Sequence, residues 1–139
     1  MMELSSFVVE KMRNIYVVGV SSIAKRNFNF FYPNISGGNF EGYINEVNKR
    51  TLYHTGVDVK DDDKFLTLIT CYRGFDTSDY RAPSYIVVVA RQVREGEDAT
   101  VDTSVAVKNN NPKYPQIYYD KYGLANPYIY DKKWYPLEV

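Results

Sequence analysis

The sequence predicts a mainly β domain with one or two helices, and three observations carry that prediction. Runs rich in β-branched and aromatic residues stand at 15–23, 65–71 and 85–94. A single stretch, 40–51, has helical rather than alternating spacing of its apolar residues. Gly, Asp and Pro punctuate the intervals between these runs.

In chain order, residues 4–9 and 15–23 flank a polar Glu10-Lys-Met-Arg-Asn14 turn and read as a hairpin. Asn27-Phe-Asn-Phe-Phe-Tyr-Pro33 is an aromatic loop, closed by Pro33 and Gly37-Gly38. Asn39 has the chemistry of an N-cap, and Phe40, Tyr43, Ile44 and Val47 follow at helical spacing. Gly56 and Asp61-Asp-Asp63 then form a solvated turn. The triplet lacks the alternating ligands and distal glutamate of a calcium loop, so no metal is expected there. The strand Phe65–Cys71 follows, then a polar loop over 72–84. The strand over 85–94 has apolar residues on both faces, the pattern of a central strand. From Glu95 onward the chain is tyrosine-dense and proline-punctuated, and reads as an irregular wrap over the same domain. Residues 1–94 thus carry the regular elements, and residues 95–139 are an extension packed on the same domain.

At 139 residues the chain holds one domain or part of one. Seventeen basic and seventeen acidic residues balance, and the basic ones are scattered, so the electrostatic footprint of a nucleic-acid binder is missing. One cysteine excludes an internal disulfide framework and any multi-cysteine metal site, and no cofactor is expected. The first ten residues are too short and too acidic for a signal peptide, and no apolar run reaches membrane-spanning length. Fourteen tyrosines bias the surface toward peptide or partner contact.

The chemistry centres on Cys71. A thiol at a strand terminus that faces a loop is held by the strand and reachable through the loop. The bland alternative is a small buried hydrophobe. The segment Lys49-Arg-Thr-Leu-Tyr-His-Thr-Gly-Val-Asp-Val-Lys-Asp-Asp-Asp-Lys-Phe-Leu-Thr-Leu-Ile-Thr-Cys71, followed by Ile86-Val-Val-Val-Ala-Arg91, resembles class B sortases, the cysteine transpeptidases of Gram-positive bacteria. Val93-Arg-Glu-Gly-Glu97 and Asn111-Pro-Lys-Tyr-Pro115 are similar to extensions of clostridial-type members, so the resemblance runs from about residue 15 to the end.

The resemblance implies a sortase-like β-barrel, incomplete because the first half is absent from this chain. It implies that the cysteine attacks the threonine carbonyl of a sorting signal such as Asn-Pro-x-Thr-Asn, and that a peptidoglycan amine resolves the thioester. It also implies work at the outer face of the bacterial cell membrane. Such chemistry needs a thiolate, a group that protonates the leaving amine, and a cation at the oxyanion.

Cys71 and Arg81 are the candidate catalytic residues. The family's arginine opens the strand after the nucleophile, a position held here by Tyr85, and Arg81 lies four residues earlier. Its guanidinium either reaches the oxyanion or is a solvated loop charge. Arg73 is a weaker candidate, and Arg91 stands too far along its strand. The family's histidine lies upstream of the cysteine. Here the only histidine is His54, either a surface turn residue or half of a Cys71–His54 dyad if its turn folds back.

Three functions follow: a transpeptidase, truncated and impaired; an inactive sortase-like domain that binds peptide or a partner; and a thiol hydrolase using Cys71 and His54. Half a barrel leaves open edges, expected at the strands near 4–23 and 85–94. Those edges would be covered by the C-terminal wrap and by a second copy of the chain.

Overall fold

A computed structural model describes residues 15–24, 37–98, 100 and 103–137. The strand expected at 4–9, and with it the hairpin to 15–23, lies outside the described residues, as does the aromatic loop at 27–33. Along the described chain run β1 (Ile15–Ala24), α1 (Phe40–Arg50), β2 (Tyr53–His54), β3 (Phe65–Tyr72), β4 (Ser84–Gln92), β5 (Val107–Lys108) and α2 (Gln116–Tyr122).

Three strands join in one antiparallel sheet, ordered β1-β4-β3, and β2 and β5 form a separate two-residue ladder. β4 is therefore central, as its two apolar faces require. No closed barrel forms among the described residues. The expected edge near 85–94 is corrected with it: the outer strand is β3, because β4 is paired on both sides.

The core lies between the sheet and α1. Tyr43, Ile44 and Val47, spaced to share one helix face, pack with Val18 of β1 and Val87 and Val89 of β4. Each such buried side chain contributes roughly 1.5–3 kcal/mol. The Tyr43 hydroxyl is also hydrogen-bonded to Thr67 of β3, and burial pushes its pKa up. Close approach of β1 to α1 depends on Gly19, where a Cβ would meet Val47 Cγ1 at 2.8 Å. A register shift between Val17 and Gly19 adds one residue there, so Val18 also turns toward the helix. On the other face, Leu66 (40% exposed), Leu68 (36%) and Val17 (36%) meet solvent.

Asn39 stands at the helix start, but its side chain makes no cap. It is bonded instead to the backbone of Leu137, accepting from the N–H at 2.6 Å and donating to the carbonyl at 3.3 Å. The C-terminal segment is tied to α1 again by Trp134, which packs edge-on to Tyr43 and over Gly42. Lys113 bonds Asp131 at 2.7 Å, and Lys49 of α1 reaches the same carboxylate at 3.5 Å. The segment is not wholly irregular, since α2 forms within it and ends at Gly123 in the left-handed region. Its Tyr119 is buried, and two prolines flanking Tyr114 mask its spacing in the sequence.

The far end of the sheet from Cys71 is held by charge. The Arg91 side chain is 1% exposed and donates to Glu97 at 2.6 and 2.8 Å and to the Asp58 carbonyl at 2.8 Å. Arg94 bridges Asp58 and Asp63, each at 2.7 Å. Asp63 thus leaves solvent, at 4% side-chain exposure, although its turn is polar as expected. Hydrogen bonding from Arg94 lowers the pKa of both Asp58 and Asp63. That from Arg91 holds Glu97 down at about 2. Among the described residues, no helix is long and apolar enough to cross a membrane.

Two outcomes follow. Glu97 stabilises the fold fully above its ordinary pKa of 4.5, and this is lost as pH falls toward about 2. Urea titrations of Glu97→Gln across that interval will show a shallower fall in unfolding free energy than the parent; equal slopes would refute the coupling. Gly42→Ala will displace Trp134, the only tryptophan. Its emission will shift red, and stability will drop by about 1–3 kcal/mol despite the better helix former.

Candidate functional site

Cys71 is the seventh residue of the eight in β3, and its thiol is free and exposed. The alternation of β3 places Phe65, Thr67, Ile69 and Cys71 on the helix side of the sheet, where the first three are half-buried and Cys71 is exposed. The register sets Cys71 directly opposite Tyr85, the second residue of β4. Facing residues in such a pair carry Cβ atoms about 5 Å apart, so thiol and phenol are neighbours. One step on, Tyr72 faces Ser84, whose hydroxyl donates to the Tyr72 carbonyl at 2.8 Å. The strand end that holds the thiol is thereby closed against fraying.

The loop over 73–83 is shaped by its own polar groups. The Asp76 carboxylate accepts from the Ala82 N–H at 2.8 Å, and the Thr77 N–H donates to the Tyr80 carbonyl at 2.8 Å. Phe75 is buried and anchors the loop, edge-on to Tyr72 at 5.0 Å and to Tyr118 of α2 at 6.4 Å. The Tyr72 ring covers Gly74, where any side chain would collide with it. Lys121 of α2 donates to the Gly74 carbonyl and lies 5.9 Å from the Phe75 ring centre. The C-terminal helix therefore braces the loop that follows the thiol.

Arg73 pairs with Asp76 at 3.6 Å, while Arg81 is exposed and has no acidic partner among the described residues. Arg81 stands three residues before β4, at the same end of the sheet as Cys71. Arg91 faces Phe65 at the opposite end and is consumed by its ion pairs, which removes it from the site.

His54 is not a turn residue but part of β2, and it is exposed. The chain around it lies beyond β1: Thr51 bridges Ser21, and the Thr55 hydroxyl donates to the Val18 carbonyl at 3.3 Å. β4 and β1 both stand between it and β3, so at least two strand spacings, about 10 Å, separate His54 from Cys71. The two are also at different levels, because the backbone partner of Tyr85 in β1 is Ile23, well beyond Val18. The Cys71–His54 dyad is not formed, and hydrolysis through it is set aside. His54 instead lines an open groove of about 510 Å³ between α1 and the C-terminal segment.

The structure thus gathers Cys71, Tyr85 and Arg81 at one rim and leaves His54 on the other edge. The aromatic brace of Tyr72, Phe75 and Tyr118 escaped sequence reasoning, although a lone Phe in a polar loop is a visible sign of an anchor. No cluster of three or more His, Cys, Asp or Glu able to hold a metal occurs among the described residues. No known protein family, curated protein or solved structure matches the chain.

An exposed thiol without a histidine beside it reacts in the folded protein on its own terms. Iodoacetamide will label Cys71 stoichiometrically without denaturant, and His54→Ala will leave the rate constant within about twofold, as expected of sites that do not touch. A tenfold or larger drop in His54→Ala would restore the dyad.

Proposed function

We propose that this chain is the thiol-bearing part of a class B sortase-like cysteine transpeptidase, working at the outer face of the bacterial membrane on sorting-signal peptides. One observation carries the reading: a lone exposed thiol ends a strand beside a loop holding an arginine that has no acidic partner among the described residues. The sequence resemblance around Cys71 supplies the reaction class. In this reading the Cys71 thiolate attacks the threonine carbonyl carbon, and the oxyanion is drawn to the Arg81 guanidinium. The peptide C–N bond then breaks and the amine leaves with a proton, forming a thioester. A peptidoglycan amine attacks the thioester, forms a new amide and releases the thiolate.

The proton for the leaving amine is the weak point. The only histidine is on the far edge of the sheet, so the proton comes from water or from the Tyr85 phenol that faces the thiol. Acylation by this chain is slow in consequence. The same placement of His54 favours a second reading, a sortase-like domain that binds the peptide without cleaving it.

Intact-mass spectrometry after incubation with an Asn-Pro-x-Thr-Asn peptide separates them. The first reading expects an acyl adduct that Cys71→Ala abolishes and Arg81→Ala slows by about a hundredfold, the usual cost of losing one oxyanion donor. Peptide bound equally by parent and Cys71→Ala, without adduct, selects the second. Neither adduct nor binding overturns both.

A further inference from the structure

The three-stranded sheet has two outer strands, and their free sides differ. The outer side of β1 is used by the chain that follows α1, because Thr51 bridges Ser21 and the Thr55 hydroxyl donates to the Val18 carbonyl at 3.3 Å. β3 pairs with β4 on one side, and no strand pairs with its other side among the described residues. An edge strand is normally blunted by an internal charge, a proline, a bulge or a short length, since its unpaired N–H and C=O groups invite another strand. β3 has none of these. Its eight residues, Phe65–Tyr72, include no charge, proline or glycine, and its register with β4 runs without a shift. Leu66 and Leu68 are exposed on the open face beside this edge.

The residues of β3 match a copy of themselves. Facing residues of an antiparallel pair share a face of the sheet, so a two-fold partner must set one residue opposite its own copy. Centred on Thr67, the pairing sets Leu66 opposite Leu68 of the second copy and Phe65 opposite Ile69, each twice by symmetry. From 65 to 69, apolar then meets apolar and threonine meets threonine, the cross-strand matching that stabilises sheets. An axis one residue later sets Leu66 against Thr70, and one residue earlier sets Lys64 against Leu68. Charge favours the same axis. It carries the exposed Asp61 of each copy toward the exposed Arg73 of the other, which its own Asp76 holds only at 3.6 Å, and over 61–73 it faces no like charges.

We propose that the free edge of β3 joins a second copy of this chain, antiparallel and two-fold about Thr67, into one continuous six-stranded sheet. The outer side of β1 is already in use, so the assembly closes at two. Strand pairing alone buries little area, which places the dimer among weak interfaces. Sedimentation velocity of the full chain from about 10 to 500 μM, the range such interfaces occupy, tests it. A concentration-dependent shift from monomer to dimer is expected. Leu66→Lys/Leu68→Lys sets like charges across the axis and should raise the dissociation constant about tenfold or more. Both positions are exposed, so the emission of Trp134 should match the parent's. Cys71 is the only cysteine, so a nitroxide on it reads the register: the two labels should lie about 27 Å apart, eight residues of strand. A monomer throughout that range overturns the proposal, including one whose edge is covered by another segment of the same chain. So does a label distance outside about 22–33 Å, or a dimer that the folded lysine variant leaves intact. If the lysine variant loses the parent's emission, the nitroxide distance decides alone. The pairing ends before Cys71 and labelling needs only an exposed thiol, so no outcome here bears on acyl transfer.

Discussion

A strand paired on both sides and packed against a helix cannot slip by one residue without turning every side chain to the wrong face. β4 is such a strand. Val87 and Val89 must stay under α1, and Arg91, two residues on, must meet Glu97 and Asp58. Those demands fix the register from one end of β4 to the other, and so fix what stands opposite the thiol. Cys71 faces Tyr85 because Phe65 faces Arg91 six pairs away. The rim chemistry is therefore set by hydrophobic and ionic contacts that lie elsewhere in the sheet.

The arginines divide by what surrounds them. Arg91 and Arg94 sit among Asp58, Asp63 and Glu97, an arrangement in which each side holds the other charged. Removing one partner would strand the other charge, so these residues are structural despite their dense polar environment. Arg81 is the reverse, exposed and without an acidic partner among the described residues. A cation in that state keeps its field available for an anion that arrives later. Perturbed titration alone would have drawn attention to the wrong end of the sheet.

The parts of the fold with a repeating signal were legible. Val87 and Val89 alternating with Ile86 and Val88 marked a central strand, and Tyr43, Ile44 and Val47 marked the helix face. The strand ending at the thiol was placed within one residue of its bounds. What was not legible depends on partners distant in sequence. Asn39 had the chemistry of a cap, yet Leu137, 98 residues away, takes its side chain. Asp63 looked solvated because the arginine that claims it lies 31 residues on. Pro112 and Pro115 concealed α2, although Pro115 is its N-terminal boundary. At the site, Cys71 and the loop with Arg81 could be read locally. The distance between Cys71 and His54 could not, because seventeen residues of chain permit either proximity or separation.

The brace formed by Tyr118 and Lys121 on Phe75 and Gly74 couples two distant regions of the polypeptide. The mouth beside the sulfur is moulded by residues more than forty positions downstream. Sequence drift in the final third of the chain can thus reshape the surface around that sulfur while every residue of β3 stays the same.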